Sequence, residues 1–168
     1  MEDYMITQEE LIQVILDNKT KMFGLAYSIT KNTHDAEDAV GETIVIAFKK
    51  FASIRKKEST CAWLMTVVHN EAYSILRTKS KIDLAPNIID FTNHIDKEDQ
   101  HVENLHLWEQ IFKLPDEYRS LIYLYYIDDY SVKEISKILN IAEGTVKSRL
   151  SRSRELLREL IGKEELTI

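Results

Sequence analysis

The sequence predicts an all-α protein with two small helical domains joined by an acidic linker. Gly and Pro, the residues that interrupt helices, number only 4 and 2 among 168 residues, while Leu, Ile, Glu and Lys are abundant. Apolar residues recur every three or four positions through most of the chain, as on the buried face of an α-helix. The exception is the acidic stretch 81–104, which contains Pro86 and has no sustained apolar period. These observations place the two domains at residues 1–80 and 105–168.

Three helices are expected in the first domain. Thr7 and Glu10 have the spacing of a capping box, which predicts a first helix over about 7–30, either continuous or broken near Asn18. After the polar residues 31–33, a second helix carries the apolar stripe Ala36, Ala39, Val40, Thr43, Ile44, Ala47, Phe48 and Phe51. A basic loop follows, consisting of Arg55, Lys56, Lys57, Glu58 and Ser59. The third helix, over about 60–79, is expected to bury Leu64, Val67, Val68, Ala72, Ile75 and Leu76.

The second domain ends in a predicted helix-turn-helix. Residues 105–114 form a helix, and Pro115 suits the first position of the next one, where a missing N–H costs nothing. Ser131 is placed to cap a short helix that ends at Asn140, a residue type that tolerates the left-handed conformation. In the helix after this turn, Val146 and Leu150 point back to the first helix. Such an arrangement leaves the outer face of the second helix free to enter the major groove of DNA.

Charge is distributed unevenly along the chain. The formal net charge is -6, which argues against a DNA-binding protein that acts alone. Residues 131–158, however, contain seven basic and three acidic residues, a local net charge of +4. A basic segment on an acidic protein predicts DNA contact supported by a second partner.

The basic segment supplies a candidate DNA-reading surface on the last helix. Arg and Lys bind guanine edges, Ser can bind either base type, and free N–H groups at a helix start suit a phosphate. The candidate residues are Thr145, Lys147, Ser148, Arg149, Ser151, Arg152 and Arg154. The alternative is an ordinary helical hairpin with a solvated charged face. DNA binding is favoured because the turn residue, the inward Val146 and the one-sided basic face agree.

Two blocks of the sequence resemble parts of sigma factors of the extracytoplasmic-function (ECF) group, within the sigma-70 family. Residues 114–157, including Glu134-Ile135, Gly144 to Leu150 and Arg152-Ser153-Arg154, resemble region 4. Residues 36–43, then Trp63-Leu64, Val68-His69-Asn70 and Leu76-Arg77, resemble region 2 in order and spacing. The resemblance implies an alternative RNA polymerase sigma factor that directs promoter-specific initiation in the cytoplasm. Its partners would be core RNA polymerase, promoter DNA and a cognate anti-sigma factor.

The resemblance also implies what each region binds. Region 4 would bind the -35 element through the surface on the last helix. Region 2 would dock on the polymerase clamp through Asp38, Gly41, Glu42 and Val45, which lie opposite the apolar stripe of the second helix. Region 2 would also capture the melted -10 element through Arg55, Lys56, Lys57, Thr66, His69, Asn70, Tyr73 and Arg77, an aromatic and cationic set suited to single strands. The alternative for the four clamp-docking residues is an ordinary helical face exposed to water. The alternative for the stripe that contains His69 and Tyr73 is the edge of an amphipathic helix that binds no ligand.

Other classes of function are disfavoured by the sequence. No phosphate loop, dinucleotide-binding turn or zinc-ligand spacing is present, so no catalysis, cofactor or metal is expected. The single Cys61 carries no sign of activation and fits a reducing cytoplasm, and no apolar run is long enough for membrane insertion. The remaining alternative is a helix-turn-helix regulator or sigma-like accessory protein that does not itself direct initiation.

Overall fold

Helices form the regular structure throughout residues 5–55, 57–79 and 105–165, which are the residues that the computed structural model describes. The α-helices are α1 (Gln8–Thr30), α2 (Thr33–Lys49), α3 (Lys57–Thr78), α4 (Leu105–Ile111), α5 (Asp116–Ile122), α6 (Val132–Leu139) and α7 (Glu143–Glu165). A 3-10 turn at Phe51–Ser53 and a π-helical segment at Tyr123–Ile127 complete the order. The prediction of an all-α fold is confirmed, whereas the predicted linker and Lys56 lie outside the described residues.

The first helix, α1, is continuous over its whole length. The predicted capping box is present, with the Glu10 N–H donating to Thr7 Oγ1 at 3.1 Å and the Thr7 N–H donating to Glu10 Oε2 at 2.9 Å. The helix does not break at Asn18, and the side-chain amide of this residue donates back to the Val14 carbonyl at 2.8 Å. It ends at Lys31, which adopts the left-handed conformation with a φ of 55°.

Two expectations for α2 and α3 are wrong. The basic loop is shorter than predicted, because α3 begins at Lys57, where Glu58 in the first turn interacts favourably with the helix dipole. Phe48 and Leu76 were expected to be buried but are 40% and 39% exposed. Both stand in the last turn of their helix, where a side chain is buried only if another element extends past it.

The C-terminal helices confirm the helix-turn-helix. Asn140 takes the left-handed conformation with a φ of 52°, and Ile135, Ile138, Val146 and Leu150 are all buried between α6 and α7. The start of α5 differs by one residue from the prediction, since Pro115 precedes the helix and Asp116 is its first residue. A helix boundary shifted by one residue is within the usual spread of such assignments.

One hydrophobic core joins the N-terminal unit, α1–α3, to the C-terminal unit, α4–α7. The central element is α1, which contacts α2 and α3 as well as α5 and the π-helical segment. The rings of Tyr27 on α1 and Phe112 meet edge to face at 5.5 Å, and both side chains are buried. A second junction brings α3 against α6. The two units are therefore packed together in this structure.

The cap of α6 gives a first stability prediction. Ser131 Oγ accepts from the Glu134 N–H at 3.2 Å, and Glu134 Oε2 accepts from the Ser131 N–H at 2.8 Å. This hydrogen bond from the Ser131 N–H lowers the pKa of Glu134. We expect Ser131→Ala to reduce the free energy of unfolding by about 1 kcal/mol, measured by urea denaturation. Ser131→Asn is the control, because Asn caps helices about as well as Ser; an equal loss in both variants would contradict the capping role.

Candidate nucleic-acid interface

The outward face of α7 presents a row of polar and basic side chains to solvent. Lys147, Ser148, Ser151 and Arg152 are exposed, while Thr145 is half-buried at the first turn. Val146 and Leu150 are buried on the opposite face of α7. Their burial fixes the rotation of the helix about its axis and therefore decides which side chains point outward. The predicted -35 residues are thus brought together on one surface.

Three arginines of this surface have partners within the C-terminal unit. Arg152 donates to Glu155 Oε2 at 3.1 Å, one helical turn away, and Arg149 forms an ion pair with Glu117 at 3.5 Å. Both pairs are substantially exposed, so each contributes little to stability and can be exchanged for a phosphate or a base at small cost.

Arg154 is held more firmly than the other two arginines. Its Nε donates to the Tyr126 hydroxyl at 2.6 Å, and its guanidinium lies 5.7 Å from the Tyr126 ring centre and 6.0 Å from that of Tyr125. The π-helical segment sets these two tyrosines side by side. Arg154 is therefore positioned by an aromatic pair at the edge of the surface.

The polar stripe of α3 is assembled on one side of that helix. Asn70 and Arg77 are exposed, whereas Thr66, His69 and Tyr73 are half-buried. The rings of His69 and Tyr73 lie 4.8 Å apart in an edge-to-face arrangement. This places an aromatic pair beside a cation, as a single-strand binding surface requires. Arg55 is exposed near the start of α3, and the side chain of Lys57 is not described.

Tyr73 also lies near the C-terminal unit. Asp116 and Ser120 of α5 lie close enough to Tyr73 to influence its pKa. Burial raises the pKa of Tyr73 above the ordinary tyrosine value, and the nearby Asp116 carboxylate acts in the same direction. Tyr73 therefore stays protonated at neutral pH.

The pKa of His69 predicts a pH dependence of stability. Burial lowers this pKa from 6.5, helped by the positive Arg77 and opposed by the hydrogen bond to Asn70 and the negative Asp116. Because protonation favours the unfolded state, the contribution of His69 is present above pH 6.5 and is lost as the pH falls through the lower folded pKa. We expect His69→Gln to lose less stability than the wild type between about pH 7 and about pH 5 in urea denaturation. Parallel curves for the two proteins would contradict this assignment.

A third surface lies on α2, away from the α3 stripe. Asp38, Gly41, Glu42 and Val45 are all exposed on this helix. Next to Gly41, a groove of about 640 Å³ between α1 and α2 is lined by apolar and charged side chains, including Phe23, Val40, Ile44, Lys19 and Glu37. Of the predicted polymerase-binding residues, Gly41 thus lines an apolar groove, and the other three are exposed on the same helix.

Two acidic residues near the start of α2 have basic side chains beside them. His34 lies 3.5 Å from Asp38, and Asp35, which is buried, pairs with Lys79 at the end of α3. No group of three or more His, Cys, Asp or Glu residues in the described part of the chain is arranged to hold a metal ion. Among the helices of residues 5–55, 57–79 and 105–165, none is both long and apolar enough to cross a bilayer.

Several residues that organise these surfaces were not predicted from the sequence. Glu117 and Tyr126 hold Arg149 and Arg154, and Asp116 raises the pKa of Tyr73. The buried Arg119 on α5 donates to main-chain carbonyls of α1. No local spacing indicates any of these contacts, because the partners are up to 91 residues apart. The one available signal was a charged residue, Arg119, beside the apolar run that begins at Leu121.

Comparison with known proteins matches two regions of the chain to known families. The sigma-70 region 2 family model matches residues 14–82, and the sigma-70 region 4 model matches residues 106–157. The RNA polymerase sigma factor SigV of Bacillus subtilis is 33% identical over 162 residues, which cover 96% of this chain and 96% of SigV. The ECF RNA polymerase sigma factor SigW of the same organism is 31% identical, over 90% of this chain and 89% of SigW.

Solved structures show the same architecture. The sigma factor RpoE of Bartonella quintana, crystallised with the anti-sigma factor NepR, superposes with a TM-score of 0.68 at 25% identity and covers 92% of this chain and 96% of its own. CnrH, solved with the cytosolic domain of CnrY, gives a TM-score of 0.68 at 19% identity over 94% of this chain and 90% of its own, which supports the fold. Because SigV and SigW exceed 30% identity over nearly the whole chain, this protein belongs to the ECF RNA polymerase sigma factors.

Proposed function

We propose that this sigma factor divides promoter-specific initiation among three surfaces. Residues 1–80 would bind the core polymerase clamp and the -10 element, and residues 105–168 would bind the -35 element, with 81–104 as the connection between them. The observation that carries the proposal is the separation of an exposed basic face on α7 from an exposed acidic face on α2. Each face has the charge that suits a different partner, DNA in the first case and a basic protein surface in the second.

The -35 assignment rests on the geometry of α7. Its exposed Lys147, Ser148, Ser151 and Arg152 project from a helix-turn-helix whose second helix is open to solvent. Thr145 stands at the first turn, where free N–H groups favour a phosphate. Arg149, which pairs with Glu117, and Arg154, which donates to Tyr126, flank these four exposed residues.

Arg152→Ala tests base recognition by this face. If Arg152 binds a guanine with two hydrogen bonds, we expect the variant to lose about 1–3 kcal/mol of affinity at that base pair of the -35 element. Competition binding with -35 duplexes altered at one position at a time would measure this loss. Glu155→Ala is the control, since it removes the intramolecular partner but keeps the arginine. An equal loss on every sequence would show that Arg152 contacts phosphate only.

The -10 assignment rests on α3 and the segment before it. Thr66, His69, Asn70, Tyr73 and Arg77 form a polar stripe with an aromatic pair at its centre. Stacking platforms beside positive charge bind single-stranded DNA with little dependence on base identity. We propose that Arg55, Lys56 and Lys57 complete the surface and that a flipped base of the melted promoter is held here.

The polymerase assignment rests on α2. Asp38 and Glu42 lie one turn apart with the small Gly41 and the apolar Val45 beside them, and all four residues are exposed. A protein surface with basic and apolar groups would complement this combination. The adjoining groove between α1 and α2 offers additional apolar area to the same partner.

The remaining assignments follow from these three partners. We infer that the chain acts by binding, without catalysis, and that it works in the cytoplasm, where core polymerase and promoters are found. We also propose that an anti-sigma factor controls it, because RpoE, which shares the fold over 92% of this chain, was crystallised with one.

Mapping transcription starts tests the proposal directly. The purified chain is incubated with core RNA polymerase and fragmented genomic DNA of the host, and the 5′ ends of the transcripts are sequenced. We expect discrete starts that depend on the chain and share two upstream elements. If no such starts occur while the housekeeping sigma factor is active with the same core, the chain would instead be an accessory or DNA-binding regulator.

A further inference from the structure

The three arginines of the α7 surface differ in the charge of the group that holds them. Arg152 and Arg149 each face a carboxylate, at 3.1 Å and 3.5 Å respectively. The Nε of Arg154 instead donates to the neutral hydroxyl of Tyr126 at 2.6 Å. In the part of the chain that the structure describes, Arg154 forms no ion pair with a carboxylate. Its positive charge is therefore open to an external anion, whereas the other two arginines must first give up a partner.

The bond to Tyr126 also decides which donors of Arg154 remain open. A guanidinium carries its N–H donors in a fixed planar fork, one on Nε and two on each Nη atom. Tyr126 uses the Nε donor, and neither Nη atom of Arg154 donates to another described residue. The Nη atoms can thus bind a phosphate end-on through two parallel hydrogen bonds, which is a favoured geometry for an arginine and a phosphate.

Tyr126 projects from the π-helical segment at Tyr123–Ile127, and its side chain is 37% exposed. Its ring meets the ring of Tyr125 edge to face at 4.9 Å. The Arg154 guanidinium lies 5.7 Å from the centre of the Tyr126 ring and 6.0 Å from that of Tyr125. Cation–π attraction to both rings and the hydrogen bond to one of them restrict this arginine before any ligand binds. Such π-helical segments are rare and frequently occur at functional sites.

Arg154 stands at the far end of the DNA-reading surface. Steps of four and three residues separate Lys147, Ser151 and Arg154, so they follow one face of α7. At about 1.5 Å per residue, Arg154 lies about 10 Å beyond Lys147 along the helix. The major groove is about 12 Å wide, and a recognition helix reads bases with its N-terminal residues. When Lys147 faces base edges, Arg154 is therefore expected beside the phosphates that border the groove.

Neighbouring charges restrict the side from which an anion can approach the pair. A cavity of about 420 Å³ adjoins Tyr126. Its other lining residues include two carboxylates and are Tyr125, Asp129, Tyr130, Ser131 and Glu134. These carboxylates repel an anion. On α7, by contrast, the exposed Arg158 lies one turn beyond Arg154. The carboxylate of the adjacent Glu155 is paired with Arg152. A phosphate is thus attracted from the side of α7 and not from the cavity.

We propose that Arg154 binds a phosphate of the promoter backbone at the border of the -35 element, and that Tyr126 is the positioning residue that holds its guanidinium. The proposal rests on the -35 assignment made above and assigns this arginine to the backbone, so affinity and not sequence choice depends on it. Ordering a long side chain at an interface costs free energy. A guanidinium that Tyr126 has already ordered therefore binds the phosphate more tightly.

Binding of the full-length chain to short DNA duplexes tests the pair. The probes are two mixed-sequence duplexes of equal length and different sequence, each titrated over a series of salt concentrations. We expect Arg154→Ala to weaken binding about tenfold and to lower the slope of log affinity against log salt by about one, since one phosphate contact is lost. Tyr126→Phe keeps the charge, so it should weaken binding about fivefold and leave the slope unchanged.

Tyr125→Phe is the matched control. It removes the hydroxyl of the neighbouring ring, which forms no hydrogen bond among the described residues, and should change the affinity by less than about twofold. The double variant Tyr126→Phe/Arg154→Ala should bind as weakly as Arg154→Ala alone, because Tyr126 acts through Arg154. A purely structural Tyr126 would instead lower the free energy of unfolding in urea and leave the DNA affinity of the folded chain unchanged.

Three results would overturn the positioning role of Tyr126. These are tighter binding by Tyr126→Phe, additive losses in the double variant, and an equal loss in Tyr125→Phe. A loss in Arg154→Ala on only one of the two duplexes would show that Arg154 reads a base, and no binding of the wild type to either duplex would also refute the phosphate site.

The start-mapping experiment separates this proposal from the proposed function. Normal chain-dependent starts, combined with no effect of Arg154→Ala or Tyr126→Phe on duplex binding, would overturn the phosphate site alone. No starts, combined with the expected losses on both duplexes, would refute the -35 assignment and leave a DNA phosphate site formed by the two residues.

Discussion

Replacing Arg119 with alanine is expected to lower the free energy of unfolding by about 3 kcal/mol or more. The substitution leaves three carbonyl groups, of Leu114, Ser28 and Ile29, without the donor that they share. A buried polar group that loses its partner costs about 1–3 kcal/mol, and water reaches this junction poorly because Arg119 is 5% exposed. Urea denaturation followed by circular dichroism measures the loss.

Two further variants make the Arg119 result specific. Arg119→Lys keeps the charge but not the planar fork of donors, so it should fall between the wild type and the alanine variant. Arg158→Ala removes an exposed arginine of α7 and should change stability by less than about 0.5 kcal/mol. A loss below about 1 kcal/mol for Arg119→Ala would mean that water or a relaxed backbone replaces the guanidinium.

Reversing the charge of Asp38 and Glu42 together should reduce chain-dependent initiation about 100-fold. Both carboxylates are exposed on α2, so the change does not disturb the core. If they face basic groups of the polymerase clamp, two attractive contacts become repulsive, and like charges brought together cost several kcal/mol. The measurements are run-off transcription and the affinity for core polymerase, with Asp38→Lys/Glu42→Lys compared to the wild type.

The control for this prediction changes the net charge equally at another surface. Glu9→Lys/Asp17→Lys alters two exposed acidic residues of α1 and should retain most of the initiation activity. If the Asp38 and Glu42 variant keeps its polymerase affinity and promoter-specific transcription, docking through α2 is refuted. The chain would then fit the alternative of a DNA-binding protein that does not itself direct initiation.

Local features of the fold were predictable because they depend on residues three or four positions apart. The capping box at Thr7, the helix cap at Ser131 and the left-handed Asn140 all occur where the sequence places them. The outward direction of Lys147 and Arg152 follows equally from spacing, because burial of Val146 and Leu150 fixes the rotation of α7. Short-range hydrogen bonding and helical periodicity are therefore sufficient for these elements.

The start of α3 and the exposure of Phe48 and Leu76 were not predictable in this way. A basic run such as residues 55–57 is compatible with a loop or with a first helical turn, and the choice depends on what covers the turn. Likewise, apolar residues at the end of a helix continue the periodic stripe whether or not a neighbouring element covers them. Periodicity specifies a face of a helix, but packing decides how far that face is buried.

The sequence by itself determined the helices, their caps, the helix-turn-helix and the chemical character of the three surfaces. Only the tertiary structure decided how these surfaces are related. Arg119 meets Ser28 across 91 residues, and the Tyr27 ring meets the Phe112 ring of the other unit. Such contacts depend on the shapes of whole helices packed together, and no spacing along the chain encodes them. Consequently the sequence predicts a partner for each surface, while the contacts between the two units follow only from the tertiary structure.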